Sequence, residues 1–172
     1  TAKFCSGNKP ATRQPETRQP ANPKPRNLFL GIDHTAIGIS DTERSLAFYR
    51  DQLGLVEGGH SENYGPEQEH LNQVFGARLD INGLHAGSGF GVEFLRYIAP
   101  PGGHPYPADS RPTDLWHYQT ELAVDGVEEL VQKLEKEGYT KISTGPVKIA
   151  GADMFLLRDP DGHAVLLQQQ RL

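Results

Sequence analysis

The sequence predicts an α+β fold: two βαβββ modules forming a curved mixed sheet around a central cavity, with the helices outside. Three observations predict it. The chain repeats a plan, in which a strand carrying a histidine leads to a capped helix, a glycine stop and three strands. His34 to Gly54 spans twenty positions, and His117 to Gly138 spans twenty-one. Within each copy the apolar residues adopt helical spacing once, at Leu46, Tyr49 and Leu53 and again at Val127, Leu130, Val131 and Leu134. Finally, a single such module leaves one sheet face bare, and two side by side can close into one curved sheet.

Residues 1–26 stand apart from this plan. They hold Pro10, Pro15, Pro20, Pro23 and Pro25, and a short repeat in which Thr12-Arg13-Gln14-Pro15 is followed by Thr17-Arg18-Gln19-Pro20. Such a stretch reads as an extended, polyproline-like arm or linker, either without function or packed on a partner subunit. Residues 27–172 make the domain, with modules at about 27–99 and 113–172.

Leu28 to Ile39 is strand-like. Ser40 can cap a helix with Glu43 reaching back to it, and Gly54 ends that helix. Residues 58–75, rich in Gly, Glu, Asn and His, read as a loop with a short helical turn from Glu67. Ala77–Gly83 and Val92–Ile98 are strands, the second with Glu93, Leu95 and Tyr97 on one face. The Pro/Gly-rich stretch 100–112, with His104, Tyr106 and Arg111, is long for a connection, so it is a module boundary, a lid, or both.

Asp114 to Leu122 reads as a strand continuing to Val124. Leu115, His117, Gln119 and Glu121 point one way, and Trp116, Tyr118, Thr120 and Leu122 form the core face. Asp125 reads as the cap of the second helix and Gly138 as its stop. Tyr139–Ser143 and Met154–Leu157 are short strands. Asp159-Pro160-Asp161-Gly162 is a turn, and His163–Gln168 is the last strand.

Composition narrows the function classes. No run of about 18 apolar residues exists to span a membrane, and a net charge of -5 argues against a nucleic-acid partner. The single cysteine, Cys5, excludes an intrachain disulfide and a paired-cysteine zinc site. The absent disulfide fits the cytoplasm, whereas a start without Met and a proline-rich arm fit an exported protein after signal removal. No Gly-x-Ser-x-Gly nucleophile turn and no phosphate-cradling glycine loop occur.

Four stretches taken in order resemble the vicinal oxygen chelate superfamily, which includes glyoxalase I, bleomycin-resistance proteins, methylmalonyl-CoA epimerase and extradiol dioxygenases. They are Gly31-Ile32-Asp33-His34-Thr35-Ala36, the run from Ser45 to Tyr49 ending in Leu53-Gly54-Leu55, Val92-Glu93-Phe94-Leu95, and Arg158-Asp159-Pro160-Asp161-Gly162-His163. The resemblance covers about residues 28–170 and implies a glyoxalase-like fold.

It also implies a ligand set drawn from the first and fourth strands of each module: His34, Glu93, His117 and, at the fourth position, Leu166. Two imidazoles and a carboxylate can hold a divalent ion such as Fe, Mn, Ni, Co or Zn and leave positions open. A carboxylate between Val92 and Phe94 needs a cation or donors to offset its burial. Leu166 stands where the family usually places a glutamate that is both ligand and general base, so Glu93 or Glu121 would have to act as base. Gln119 and Gln168 can orient a polar substrate, and Tyr97 can support Glu93.

Two functions follow as expectations. One is a metal-dependent lyase, isomerase or oxygenase acting on a small oxygen-chelating substrate, with Glu93 as its catalytic residue. The other is a metal-free protein that sequesters a small molecule in the manner of bleomycin resistance. Modules of this kind pair within one chain or between chains, so a homodimer is a possible partner arrangement.

Overall fold

The computed structural model describes residues 31–170. The arm expected at 1–26, and the start of the strand expected from Leu28, lie outside the described residues. The first module comprises β1 (His34–Gly38), α1 (Thr42–Leu46), a π-helical turn over Ala47–Gln52, β2 (Val56–Tyr64), α2 (Pro66–Asn72), β3 (Arg78–His85) and β4 (Gly91–Ala99). The second comprises β5 (Gln119–Val124), α3 (Val127–Lys136), β6 (Val147–Ile149), β7 (Ala152–Arg158) and β8 (Ala164–Gln169). The two βαβββ modules are therefore both present. Hydrogen bonding organises them as two four-stranded mixed sheets, ordered β1-β4-β3-β2 and β5-β8-β7-β6. In each, the first strand runs parallel to the last, and the remaining pairs are antiparallel.

Helix entry differs from expectation at both sites. Asp41, not Ser40, caps α1: its carboxylate accepts from the Arg44 N–H at 2.8 Å. Ser40 instead donates to Asp161 across the module boundary, through Oγ at 2.6 Å and its backbone N–H at 3.1 Å. At α3 the cap residue is Gly126 in a left-handed conformation (φ 67°), with no side-chain cap. The Val127 N–H is taken by Gln169 Oε1 at 3.0 Å, a residue of the last strand. The π-helical turn closes with Leu53 N–H on Phe48 O at 3.0 Å, and Gly54 (φ 79°) then reverses the chain as only glycine does readily.

Some strand boundaries also differ. Residues 58–64 of the stretch expected as a loop belong to the nine-residue β2, whereas the short helical turn expected from Glu67 is present as α2. Both faces of β2 are exposed, so no apolar alternation marked it. Tyr139–Ser143 contributes a single bridge, Lys141 to Leu157, and the edge strand of that sheet is β6. The strand expected from Asp114 starts only at Gln119. Trp116 and Tyr118, expected in the core, are 57% and 41% exposed.

One core serves both modules. Ile37, Phe48, Tyr49 and Phe94 from the first pack in a single cluster with Val131, Leu134, Leu157 and Leu167 from the second. Phe48 is fully buried between the rings of Tyr49 and Tyr139, at 5.0 and 4.9 Å between centroids. The Tyr49 hydroxyl donates to Asp159 in the second module at 3.1 Å. Burial first, then the charge of Asp159, hold this phenol well above its ordinary pKa, so it keeps the proton it donates.

The helix-facing side of the first sheet turns polar beyond Phe94. Asp80 accepts from Thr42 Oγ1 at 2.9 Å and Arg96 Nε at 3.1 Å, and shares a hydrogen bond with His60 Nε2 at 2.6 Å. Burial pushes the Asp80 carboxyl up, but these hydrogen bonds and the Arg96 charge outweigh it and hold the group below its ordinary pKa.

Two outcomes are expected. Phe48→Ala should cost about 3–5 kcal/mol, with both modules unfolding in one urea transition; separate transitions would show that the core is not shared. Asp80→Asn should cost about 1–3 kcal/mol at neutral pH. A carboxylate with a lowered folded pKa contributes stability above its unfolded value and loses it as pH falls. The gap between Asp80→Asn and wild type should therefore close below about pH 4; denaturation curves showing a constant gap down to acid pH would refute this role.

Candidate functional site

The parallel pairing of β1 with β4 places His34 opposite Gly91 and Ala36 opposite Glu93. His34 and Glu93 are thus diagonal neighbours on one face. Ile37, Val92 and Phe94 fill the other face against the core. His34 Nε2 lies 3.6 Å from Glu93 Oε2, and His34 Nδ1 lies 2.7 Å from Asp33 Oδ2. The hydrogen bond to Asp33 raises the His34 pKa; burial opposes it, and the charges of Glu93 and Asp33 add to it. With Nδ1–H donated to Asp33, the neutral ring presents its Nε2 lone pair to the space it shares with Glu93. A carboxylate on the far nitrogen is the usual support of a metal-ligating histidine. Asp33 was not singled out from the sequence; its position directly before His34 was the available signal.

His117 lies outside the strand. Its backbone N–H closes a turn on Asp114 O at 3.0 Å, two residues before β5 begins. In the second sheet Gln119 pairs with Ala164 and Glu121 with Leu166. By register, therefore, Gln119 occupies the place of His34, and Leu166 that of Glu93. The expected equivalence of His34 and His117 is corrected by two residues, because the Asp114–His117 turn shortens the strand. The His117 Nδ1 is nevertheless buried without a hydrogen-bond partner, which is costly unless something outside the chain satisfies it.

Among the described residues, no three His, Cys, Asp or Glu side chains gather closely enough to hold a metal ion. The chain brings His34 and Glu93 together without a third such donor beside them, while the residues that follow the two histidines, Thr35 and Tyr118, hydrogen-bond to each other through their hydroxyls. Imidazole nitrogen and carboxylate oxygen are the right donors for a divalent transition ion, and the orphaned His117 nitrogen is a donor without an assignment. The donor chemistry of the His34–Glu93 pair fits a metal.

The other expected residues are placed as follows. Gln119 and Glu121 are exposed on the β5 face turned away from α3. Leu166 and Gln168 share that face on β8, half-buried. Tyr97 is on the Glu93 face of β4, but its hydroxyl accepts from the Asn72 amide of α2. The inter-module loop is pinned rather than free at its centre: Arg158 donates to Ser110 O at 3.0 Å and Trp116 Nε1 to Ser110 Oγ at 3.1 Å.

Comparison with known proteins bears on this geometry. The family model of the Glyoxalase/Bleomycin resistance protein/Dioxygenase superfamily matches residues 31–167. The chain belongs to this superfamily. A glutathione transferase FosA of Serratia marcescens is 27% identical over 136 residues, covering 79% of this chain and 78% of that protein. A glyoxalase family protein of Bacillus cereus shares the fold with a TM-score of 0.73 at 17% identity, over 84% of this chain and 97% of that one. The trypanothione-dependent glyoxalase I of Leishmania major does so with a TM-score of 0.52 at 23% identity, over 81% and 86%.

The Asp33–His34 contact is directly measurable. Because that hydrogen bond is the largest cause of the raised His34 pKa, Asp33→Asn should lower it toward the ordinary imidazole value in an NMR titration. An unchanged midpoint would mean that the pair does not form.

Proposed function

We propose that this protein is a metal-dependent enzyme of its superfamily, with the ion held by His34 and Glu93 of one copy and His117 of a second. The observation that carries this reading is the His34–Glu93 pair, 3.6 Å apart with Asp33 on the far ring nitrogen. That no third donor joins the pair among the described residues of one chain is what a homodimer would answer, with the second copy bringing His117. A bound divalent ion would supply Lewis-acid polarisation of neighbouring substrate oxygens. The chain's own part is to orient the substrate through Gln119, Glu121, Gln168 and Tyr97, and to move protons through Glu93, the carboxylate nearest the histidine.

The named activity of the Serratia relative makes transfer of glutathione to a small electrophile the first reaction to screen, beside lyase, isomerase and oxygenase substrates. Reactions that need a base at residue 166 are the least favoured, because Leu166 carries no proton acceptor. Leu166 and the divided ligand set also favour a second reading, metal-free sequestration of a small molecule as in bleomycin resistance.

Metal uptake separates the two. Metal-free protein offered Fe(II), Mn, Ni, Co or Zn should bind near one ion per chain and sediment as a dimer. Glu93→Gln and His117→Ala should each weaken uptake by more than about tenfold. A wild-type chain that binds none of these ions would leave the sequestering reading, and ligand screens would then replace substrate screens.

A further inference from the structure

Gly83 is the residue of β3 that stands directly opposite Glu93. We propose that Gly83 determines the specificity of the candidate site: the space left by its missing side chain receives a bulky apolar group that the substrate carries next to its chelating oxygens. The assignment rests on the metal reading and names the kind of substrate that reading leaves open.

A glycine inside a strand packs nothing and weakens the strand; it often marks a bulge, or a place where another backbone or a ligand comes close. Two other glycines of this sheet are explained by close contact. A Cβ on Gly58 would lie 2.9 Å from the His85 ring, and one on Gly91 would lie 2.9 Å from Leu84 O. Gly83 has no such reason. The register shift is on β2, between Glu57 and Gly59, whereas Gly83 keeps its pairs with Gly59 on one side and Glu93 on the other. Its backbone lies outside the left-handed region, and among the described residues a Cβ there would meet nothing nearer than Gly59 O at 4.0 Å. The fold would accept a side chain at this position, so what the glycine keeps clear is room for a ligand.

That room is beside the chemistry. Glu93 turns from Gly83 toward β1, where its carboxylate lies 3.6 Å from His34 Nε2. The next pair along β3 and β4 on the same face is Ile81 with Leu95, both half-buried. The space over Gly83 is therefore edged by a carboxylate on one side and by two aliphatic side chains on another. A hydrocarbon group gains free energy by covering Ile81 and Leu95, whereas a polar group finds no hydrogen-bond partner on either.

The test uses the full chain loaded with one divalent ion and two hydroxamates that share the same pair of neighbouring oxygens. Acetohydroxamate carries a methyl group and benzohydroxamate a phenyl ring. Wild type should bind benzohydroxamate more tightly. That preference should fall stepwise in Gly83→Ala and Gly83→Val, by about tenfold or more in the second. Thermal midpoints of both variants should equal or exceed that of wild type, because a side chain suits a strand better than glycine does. A lowered midpoint in Gly83→Ala would show that the glycine serves the fold. That result, an ion-loaded wild type without the preference, or a preference unchanged in Gly83→Val would each overturn the assignment and leave the metal reading standing. A wild-type chain that takes up none of the divalent ions offered would overturn both together.

Discussion

The parallel pairing of the first strand with the last strand of its own module is the constraint from which the rest of the structure follows. Parallel neighbours cannot be joined by a tight turn and need a crossover. The crossover here carries a helix and two further strands, and the helix must come to rest on one face of the sheet it spans. That face becomes the core, through Ile37, Val92 and Phe94 in one module and Leu157, Val165 and Leu167 in the other. The opposite face carries His34 and Glu93. The same pairing sets His34 and Glu93, fifty-nine residues apart in sequence, as diagonal neighbours two positions out of register.

Neither module closes this arrangement alone. The contacts that join them are concentrated where α1 and its π-helical turn meet the Asp159–His163 turn. Tyr49 donates to Asp159, Ser40 and Arg44 reach Asp161, and Phe48 packs on Tyr139. Asp159 itself is occupied by the backbone N–H groups of Asp161 and His163, so the turn that starts β8 is held by a carboxylate that the first module also grips. Misplacing that turn would shift the whole β5–β8 register, and with it every side chain on the second module's open face.

Much of this was legible in the sequence, for physical reasons that differ by element. The α3 stripe of Val127, Val131 and Leu134 is readable because one apolar face at helical spacing is sufficient to define a helix. The Asp159-Pro160-Asp161-Gly162 turn is readable because few backbones other than a turn accept those residues. β2 was readable only at its start, where Leu55-Val56-Glu57 reads as extended: Gly58, Gly59, His60 and Ser61 lie on an edge strand exposed on both faces, so burial wrote no alternation into them. The caps were misread because Ser40 and Asp125 have capping chemistry but different partners, and only the tertiary structure shows that Asp161 claims Ser40. His34 and Glu93 are named by the family resemblance, and the strand register sets them 3.6 Å apart. The turn that moves His117 out of register depends on the Asp114 carbonyl, which no side-chain pattern reports.

The two modules therefore differ in what their open faces offer. The first presents an oriented imidazole beside a carboxylate. At the matching positions the second presents Gln119 and Leu166, with His117 and Glu121 displaced by two residues along the chain to either side of Gln119. Gln119 offers a neutral amide and Leu166 offers nothing, so of these four residues only Glu121 can carry negative charge. Under the proposed metal reading, a site of this kind is anionic mainly on the side of the first module. Substrate oxygens would then compete least with protein carboxylates on the side of the second, beside Leu166.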